Sequence, residues 1–349
     1  MTRNRTAAAL TGVTAIAIAL AGCSSPSAAP PSSAEKSSAS SSTAAADGTT
    51  AAGSGADGAT DCPATADLYT VPKRIVTLDT AAASFLIRLG LGDRIVATAD
   101  AGFKTDFTGS LRTTIDKIPT IAQGSDSANK EKVIAAKPDL VTGVTIYALG
   151  GYPGTPTQAE LKKNGIAAVI ACDTAKGEAT DIDATYRYIT HLAETFHVQA
   201  KGEKLIASMQ KQISAATPRT GAKVPVLALS EVPSGGAGIN TIGGSQFGSG
   251  VISLAGGKNI AASTHSDFAA LSAEQVTSAN PEVIVVIGGL STQSPDELVA
   301  SIRKSPLLAD TDAVKGNHIV VVPQGILCSP SLLNADAITT VADAVKAAS

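Results

Sequence analysis

The chain has 349 residues, with 27 basic and 30 acidic side chains, a formal net charge of −3, and 3% aromatic residues without tryptophan. This length is sufficient for two lobes with separate cores. No cluster of Lys and Arg is present, so nucleic acid is not an expected partner.

The first 22 residues predict a secretory signal. Arg3 and Arg5 precede a short apolar run that ends at Gly22, and Cys23 follows directly. A basic start, an apolar core and small residues before the cleavage point are typical of such signals. At roughly 15 residues the run is short for a membrane span, and no other stretch approaches that length. The sequence Leu-Ala-Gly-Cys resembles a bacterial lipobox. The resemblance implies removal of the signal and diacylation of Cys23, and an ordinary secreted protein is the alternative.

Residues 23–61 are rich in Ser and Ala and predict a disordered tether. Their side chains cannot bury enough apolar surface to offset the entropy of ordering. A flexible chain of this length reaches roughly 35 Å. The remaining chain divides into a predicted N-terminal α/β lobe at 62–180, a helical linker at 181–217 and a C-terminal α/β lobe at 218–349.

Short apolar strands alternate with helices in both lobes, which predicts parallel sheets covered on both faces. The rhythm breaks at 182–196 and 199–216, which predict two helices with no strand between them. The expected fold class is α/β, with two doubly wound α/β lobes joined by a long inter-lobe helix, a ligand cleft between them and a stiff hinge. The predicted strands are 74–78, 95–99, 140–143, 167–171, 224–230, 283–287 and 319–322, and the main predicted helices outside the linker are 80–89, 129–136, 248–255, 273–279 and 334–348.

One unit occurs in both lobes. Glu131 and Glu274 each open a short helical pattern, and Pro138 and Pro281 follow seven residues later, before an apolar strand. A glutamate in a first helical turn is favoured by the helix dipole, and proline ends the helix. The repeat suggests one exposed carboxylate at the same height on each lobe. Alternatively, this is a unit that any α/β protein reuses. Capping boxes are predicted at Ser272–Gln275, Thr157–Glu160 and Ser294–Glu297.

Cysteine usage agrees with export. With Cys23 assigned to the lipid, Cys62, Cys172 and Cys328 remain, which allows one disulfide and one free thiol in an oxidising compartment. A Cys62–Cys172 disulfide is favoured because both lie at the edges of the first lobe, and Cys172–Cys328 is the alternative. The spacings do not resemble a zinc site.

Several landmarks together resemble the helical-backbone substrate-binding proteins of ABC importers, the group that serves ferric siderophores, haem and cobalamin. The resemblance covers roughly 70–345 and implies a monomer that delivers its ligand to a permease dimer with its ATPase, carries no cofactor and is not an enzyme. It also implies that Glu131 and Glu274 dock onto permease arginines. The landmarks are Pro72–Val76, Leu89–Val96, Lys137–Val141, Leu254–Ile260, Leu271–Val276 and Ala313–Ile319.

The ligand pocket is expected between the lobes, where strand ends and their loops converge. Gly243 and Gly244 are interpreted as positions that let the backbone approach a ligand. The candidate ligand-binding residues are Asp79, Asp100, Phe103, Asp126, Tyr147, Tyr152, Glu231, Thr241, Phe247, His265, Phe268, Leu290 and Leu327.

The expected pocket loops contain no arginine, and Lys104 is the nearest cation. Binders of tricatecholate chelates usually gather arginines around a trianion, so the leading hypothesis is a ferric-siderophore chelate of neutral type. Cobalamin and haem are the alternatives within the class, with Tyr147 or His265 available as a haem ligand. An enzyme or a structural envelope lipoprotein is the alternative of another class, but the sequence shows no paired acid and base, no His/Cys metal cluster and no phosphate loop.

Overall fold

A computed structural model describes residues 70–99, 104–121, 128–172, 180–218, 221–234 and 238–349. The predicted signal, the tether, Cys23 and Cys62 therefore lie outside the described residues.

The first lobe consists of four strands and four helices: β1 (Ile75–Thr77), α1 (Thr80–Arg88), β2 (Ile95–Thr98), α2 (Gly109–Ile115), α3 (Lys130–Ala135), β3 (Leu140–Gly143), α4 (Gln158–Lys163) and β4 (Ala167–Ile170) among the described residues. The strands form a parallel sheet with the order β2-β1-β3-β4. The central strand β1 is fully buried, because helices cover both of its faces, as expected for an α/β layer.

Two helices, α5 (Ile182–Thr195) and α6 (Gln199–Ala216), connect the lobes. On α6, Met209 packs in a core of the first lobe and Ile213, one turn later, packs in the core of the second. The two helices approach closely at Gly202, where an added Cβ would lie 2.6 Å from the Cβ of Ala193. The connection is therefore a packed helical pair that belongs to both cores, as the fold class predicted.

The elements of the second lobe are β5 (Val224–Leu229), β6 (Ile239–Ile242), α7 (Phe247–Leu254), β7 (Gly257–Asn259), β8 (Phe268–Leu271), α8 (Ala273–Ala279), β9 (Val283–Gly288), α9 (Pro295–Lys304), α10 (Asp312–Lys315), β10 (Ile319–Pro323), α11 (Gln324–Leu327) and α12 (Asn334–Ala348). They include a larger sheet with the strand order β10-β9-β5-β6-β8, and β7 pairs with β5. The C-terminal helix α12 covers a 22-residue apolar core on one face of this sheet.

The expectation of purely parallel sheets is wrong for this lobe. Strand β6 pairs antiparallel with both β5 and β8. The pairing begins where Leu229, the last residue of β5, lies opposite Thr241, so the chain returns alongside β5 without a crossover helix. Strand β8 is an edge strand with no fully buried residue, and therefore carries little hydrophobic signal in the sequence.

The three predicted capping boxes are all formed. The hydroxyls of Thr157, Ser272 and Ser294 each accept a hydrogen bond from the third backbone amide of the helix. The Glu or Gln side chain at that third position accepts one from the backbone amide of the capping residue. Pro295 occupies the first turn of α9, where a missing amide costs nothing. These local signals place the starts of α4, α8 and α9 correctly.

Candidate functional site

A cleft of about 530 Å³ lies between the two lobes. The first lobe contributes the residues that directly follow β1, β2 and β3, so this wall is the carboxyl edge of a parallel sheet, where ligands bind in open α/β folds. The second lobe contributes the start of α7, the start of β8, and α11 with the loop after it. The lining residues are Leu78 to Ala81, Ala99, Asp106, Phe107, Ala128, Val144, Thr145, Tyr147, Ala148, Tyr152, Gln246, Phe247, Asp267, Phe268, Gln324, Gly325 and Cys328 to Ser331.

Five of the candidate ligand-binding residues line this cleft: Asp79, Tyr147, Tyr152, Phe247 and Phe268. The two tyrosines and Phe268 are unusually exposed for large aromatic side chains, at 39%, 53% and 65% of their surface. Phe247 is buried and forms part of the floor. The cleft therefore presents aromatic faces from both lobes.

A smaller cavity of about 290 Å³ adjoins Phe268 on the second lobe. Two further candidates, Glu231 and Thr241, line it. Glu231 is exposed and accepts a hydrogen bond from the side-chain amide of Asn240. Thr241 is buried within β6. These residues lie beside the cleft rather than in its wall.

The remaining candidates lie elsewhere. His265 and Leu290 are exposed and line neither cavity. Leu327 is fully buried in the core of the second lobe, because the turn of α11 directs Gln324 and Cys328, four residues apart, to the cleft instead. Asp100, Phe103 and Asp126 lie outside the described residues.

Asp79 has a structural role at the cleft floor. It is the N-cap of α1, and one carboxylate oxygen accepts from the amide of Ala82 at 2.7 Å. The other accepts from the amide of Val144, also at 2.7 Å, which ties the end of β1 to the end of β3. A carboxylate with both oxygens held by backbone amides positions the loops that surround it.

A hydrogen bond between two side chains crosses the cleft. The hydroxyl of Tyr147, on the loop after β3, donates to the carboxylate of Asp267, on the loop before β8, at 2.8 Å. Tyr147 also lies against the ring of Tyr152, with centroids 5.8 Å apart. Gly151 is required here, since an added Cβ would lie 2.5 Å from the Cα of Tyr147. The aromatic loop is therefore compact and touches the opposite lobe.

The loop that carries Asp267 is held by close backbone contact. A Cβ added at Gly243 would meet the carbonyl oxygen of Ser266 at 2.1 Å, and one at Gly244 would meet that of Ala262 at the same distance. The amide of Gly243 donates to the carbonyl of Asp267 at 2.9 Å. The two glycines therefore allow close packing against the backbone of residues 262–267. The sequence-based interpretation that they let the backbone approach a ligand is wrong.

Asn334 fixes the wall formed by the loop after α11. Its fully buried amide nitrogen donates to the carbonyls of Ile326 and Ser329, at 2.8 and 2.9 Å. Its oxygen accepts from the amide of Ser331 and from the hydroxyl of Thr185 on α5. This wall is thereby tied to the helices that join the lobes.

Sequence reasoning missed Asp106, Phe107, Gln324 and the run 328–331. Gln324 and the run 328–331 follow the carboxyl end of β10, a strand that the sequence predicted within one residue, so the rule that sites form at such ends indicates this region without identifying which of its side chains face the cleft. Asp106 and Phe107 lie in a short 3-10 segment and the turn after it, for which the sequence carries no comparable signal.

Among the described residues that line the cleft, there is no Lys, Arg or His, while three are aspartates. Within the described part of the chain, no group of three or more His, Cys, Asp or Glu side chains is arranged to hold a metal ion. The described wall of the cleft is thus aromatic and mildly acidic.

Cys172 forms a disulfide, and Cys328 is a free thiol. The alternative Cys172–Cys328 disulfide is therefore absent, while Cys62 lies outside the described residues. Burial raises the pKa of the Cys328 thiol to about 12, even with a hydrogen bond from Gln246 that acts in the opposite direction. This thiol borders the cleft and is protonated at neutral pH.

Glu131 and Glu274 are both exposed and both lie in the first turn of their helices, α3 and α8. The start of α3 lies beside the loop after β3, because the amide of Lys130 donates to the carbonyl of Gly154 at 2.8 Å. The start of α8 directly follows β8. Each glutamate therefore lies near the cleft-forming end of its own lobe.

Comparison with known proteins decides the class. The model of a family described as periplasmic binding protein matches residues 75–325. The chain belongs to this periplasmic binding protein family. It is therefore a substrate-binding protein of an ABC importer and not an enzyme, and proteins of this family carry transported ligands rather than a cofactor.

Among curated relatives of this periplasmic binding protein, a vitamin B12-binding protein from Photorhabdus laumondii is 27% identical over 223 residues, which covers 64% of this chain and 73% of the relative.

No helix in the described part of the chain has both the length and the apolar character needed to cross a membrane.

Solved structures share the fold. A periplasmic heme-binding protein from Roseiflexus sp. RS-1 is similar with a TM-score of 0.63 and 26% identity, covering 79% of this chain and 99% of that one. An ABC-type Fe3+-hydroxamate transport system protein from Saccharomonospora viridis is similar with a TM-score of 0.65 and 22% identity, covering 79% and 94%.

Proposed function

We propose that this periplasmic binding protein captures a ferric-siderophore-type chelate that is neutral or weakly cationic, and delivers it to a dimeric permease. The observation that carries the proposal is the composition of the cleft: exposed aromatic side chains from both lobes, three aspartates and no cation among the described lining residues. An anionic chelate would lose its hydration in such a cleft without gaining a compensating charge.

Cobalamin is the second candidate, because the curated relative is a vitamin B12-binding protein. Haem remains a third, since Tyr147 offers a phenol in the cleft. A direct test titrates the purified protein with a neutral ferric trihydroxamate, a trianionic ferric tricatecholate, cyanocobalamin and haem, and follows tyrosine fluorescence. We expect the neutral hydroxamate to bind most tightly. Preferential binding of the tricatecholate would contradict the proposal.

We propose that Glu131 and Glu274 dock the loaded protein onto the permease. Two exposed carboxylates on equivalent helices suit a twofold partner, and carboxylate–arginine pairs are bidentate and orienting. The double substitution Glu131→Lys and Glu274→Lys is expected to leave ligand affinity unchanged and to stop uptake. Reversal of Glu194 and Glu203, two exposed glutamates on the connecting helices, is the matched control and is expected to preserve uptake. Undiminished uptake in the first variant would reject the docking role.

We further propose that the signal is cleaved and that a lipid on Cys23 anchors the protein to the outer side of the cell membrane, with residues 23–61 as a tether. Substitution of Cys23 by Ser is expected to release the protein from the membrane fraction without altering ligand binding. Retention of this variant in the membrane fraction would show that another element holds it there.

A further inference from the structure

Asp267 differs from Asp79, one of the two other aspartates that line the cleft. Both oxygens of Asp79 accept from backbone amides, so its charge is already compensated. The carboxylate of Asp267 instead accepts a hydrogen bond from the neutral phenol of Tyr147, which brings no positive charge. No described cation lines the cleft to neutralise it. Its negative charge is therefore available to a ligand.

The backbone around Asp267 is held by hydrogen bonds and close packing. The amide of Gly243 donates to the Asp267 carbonyl, and the amide of Gly244 donates to the carbonyl of Thr264 at 2.8 Å. A side chain at either glycine would collide with the carbonyl oxygens of this loop. A carboxylate held in this way loses little conformational entropy when a ligand binds, which favours specific recognition.

Aromatic faces accompany this carboxylate. Tyr147 contacts it directly, Tyr152 lies against Tyr147, and Phe268 is the next residue along the chain. All three side chains are more than one third exposed and border the same cleft. A carboxylate beside several aromatic rings is the arrangement that recognises an ammonium group, since the rings attract a cation through their faces and the carboxylate pairs with it.

We propose that Asp267 is a specificity-determining residue that selects chelates carrying a protonated amine. The inference rests on the proposed function and narrows it from neutral or weakly cationic chelates to those with a cationic arm. The ammonium group would bind to the Asp267 carboxylate among Tyr147, Tyr152 and Phe268, and would share or replace the hydrogen bond from the Tyr147 phenol.

A matched pair of ligands tests this directly. Ferrioxamine B is a linear ferric trihydroxamate with a free ammonium group, and its N-acetylated form is the same chelate without that charge. Calorimetric titration of the purified protein is expected to give an affinity at least tenfold higher for the cationic form at low salt, with a smaller ratio at high salt. Asp267→Asn is expected to reduce the ratio to about twofold or less while binding of the acetylated form persists.

Two further variants separate the charge from the contact between the lobes. Tyr147→Phe removes the hydrogen bond across the cleft but keeps the carboxylate, so the preference for the cation is expected to remain. Asp296→Asn removes one exposed charge at the start of α9 that is not among the described cleft residues, and is expected to leave the affinity ratio unchanged. If Tyr147→Phe loses the preference for the cationic form, the proposal is overturned, because the hydrogen bond between the lobes rather than the Asp267 charge would then determine affinity.

Measurements on the wild-type protein alone distinguish a failure of the Asp267 role from a failure of the proposed function, whether or not a variant folds. Equal affinity for the two forms would overturn the role of Asp267 and leave the proposed function standing. Binding of neither form would overturn both. A tenfold preference that vanishes in Asp267→Asn alone would support the assignment.

Discussion

The backbone amide of Lys130 donates to the carbonyl of Gly154, and this single hydrogen bond ties the helix that carries Glu131 to the loop that carries Tyr147 and Tyr152. The side chain of Lys130 extends the connection, because its ammonium group pairs with Glu160 at the start of α4, 2.7 Å away. The proposed docking helix and the aromatic cleft loop are thus parts of one hydrogen-bonded unit.

The Glu160 carboxylate makes this unit sensitive to acid. The Lys130 hydrogen bond, followed by hydrogen bonds from the backbone and hydroxyl of Thr157, lowers the pKa of Glu160 from 4.5 to about 2. A pKa lowered by folding gives a contribution to stability that is present above about pH 4.5 and is lost as the pH falls through about 2. We expect Lys130→Met to raise the Glu160 pKa, measured by NMR titration of its carboxyl carbon, and to reduce the acid sensitivity in this window.

Lys162→Met is the control for that experiment, because Lys162 is exposed on α4 and makes no salt bridge among the described residues. It is expected to leave the Glu160 pKa near its wild-type value. An unchanged pKa in Lys130→Met would show that the capping hydrogen bonds from Thr157 alone account for the shift.

Asn334 is expected to be a major stabilising residue. Replacement by Ala removes four hydrogen bonds and leaves the carbonyls of Ile326 and Ser329, the amide of Ser331 and the hydroxyl of Thr185 without this partner. Buried polar groups left unpaired typically cost about 1–3 kcal/mol each, partly offset by relaxation. We therefore expect Asn334→Ala to lower the free energy of unfolding by about 2–4 kcal/mol, measured by urea denaturation.

The matched control is Asn164→Ala, since Asn164 is exposed at the end of α4 and its amide caps a single carbonyl, that of Glu160. Its loss is expected to cost less than about 1 kcal/mol. If the two substitutions lower the free energy of unfolding equally, the Asn334 network does not hold the loop as described.

Cys328 is expected to resist alkylation in the folded protein. With a pKa of about 12 its thiolate fraction at pH 8 is about one in ten thousand, against about a quarter for an unperturbed thiol. Iodoacetamide should therefore modify the native Cys328 peptide roughly a thousandfold more slowly than the urea-unfolded one, as measured by mass spectrometry. The native rate should also rise tenfold per pH unit up to pH 10, whereas a purely steric barrier predicts a plateau. A native rate within tenfold of the unfolded rate would contradict the raised pKa.

Helix positions could be predicted because their signals are local. The bounds predicted for 273–279 and 334–348 agree with α8 and α12, and the linker was correctly interpreted as two helices. In each capping box, a hydroxyl and a carboxylate or amide three residues later satisfy amides within the same turn, so no distant contact is needed.

The site was less accessible to prediction, since it depends on how the lobes meet. Tyr147 and Asp267 are separated by 120 positions, and no sequence pattern links them. Leu327 was assigned to the pocket from its place in the chain, while the rotation of one short helix decides that Gln324 and Cys328 face the cleft. The antiparallel edge at β6 and β8 was missed because β8 lacks buried residues that would reveal a strand.

The sharing of α6 between the two cores has a consequence for engineering. Met209 and Ile213 lie on adjacent turns of one helix. A chimera that exchanged whole lobes between relatives would therefore have to join two unrelated packing surfaces in the middle of that helix. Exchange of individual cleft loops leaves the packing of α6 unchanged, so loop exchange is the practical route to a new ligand specificity.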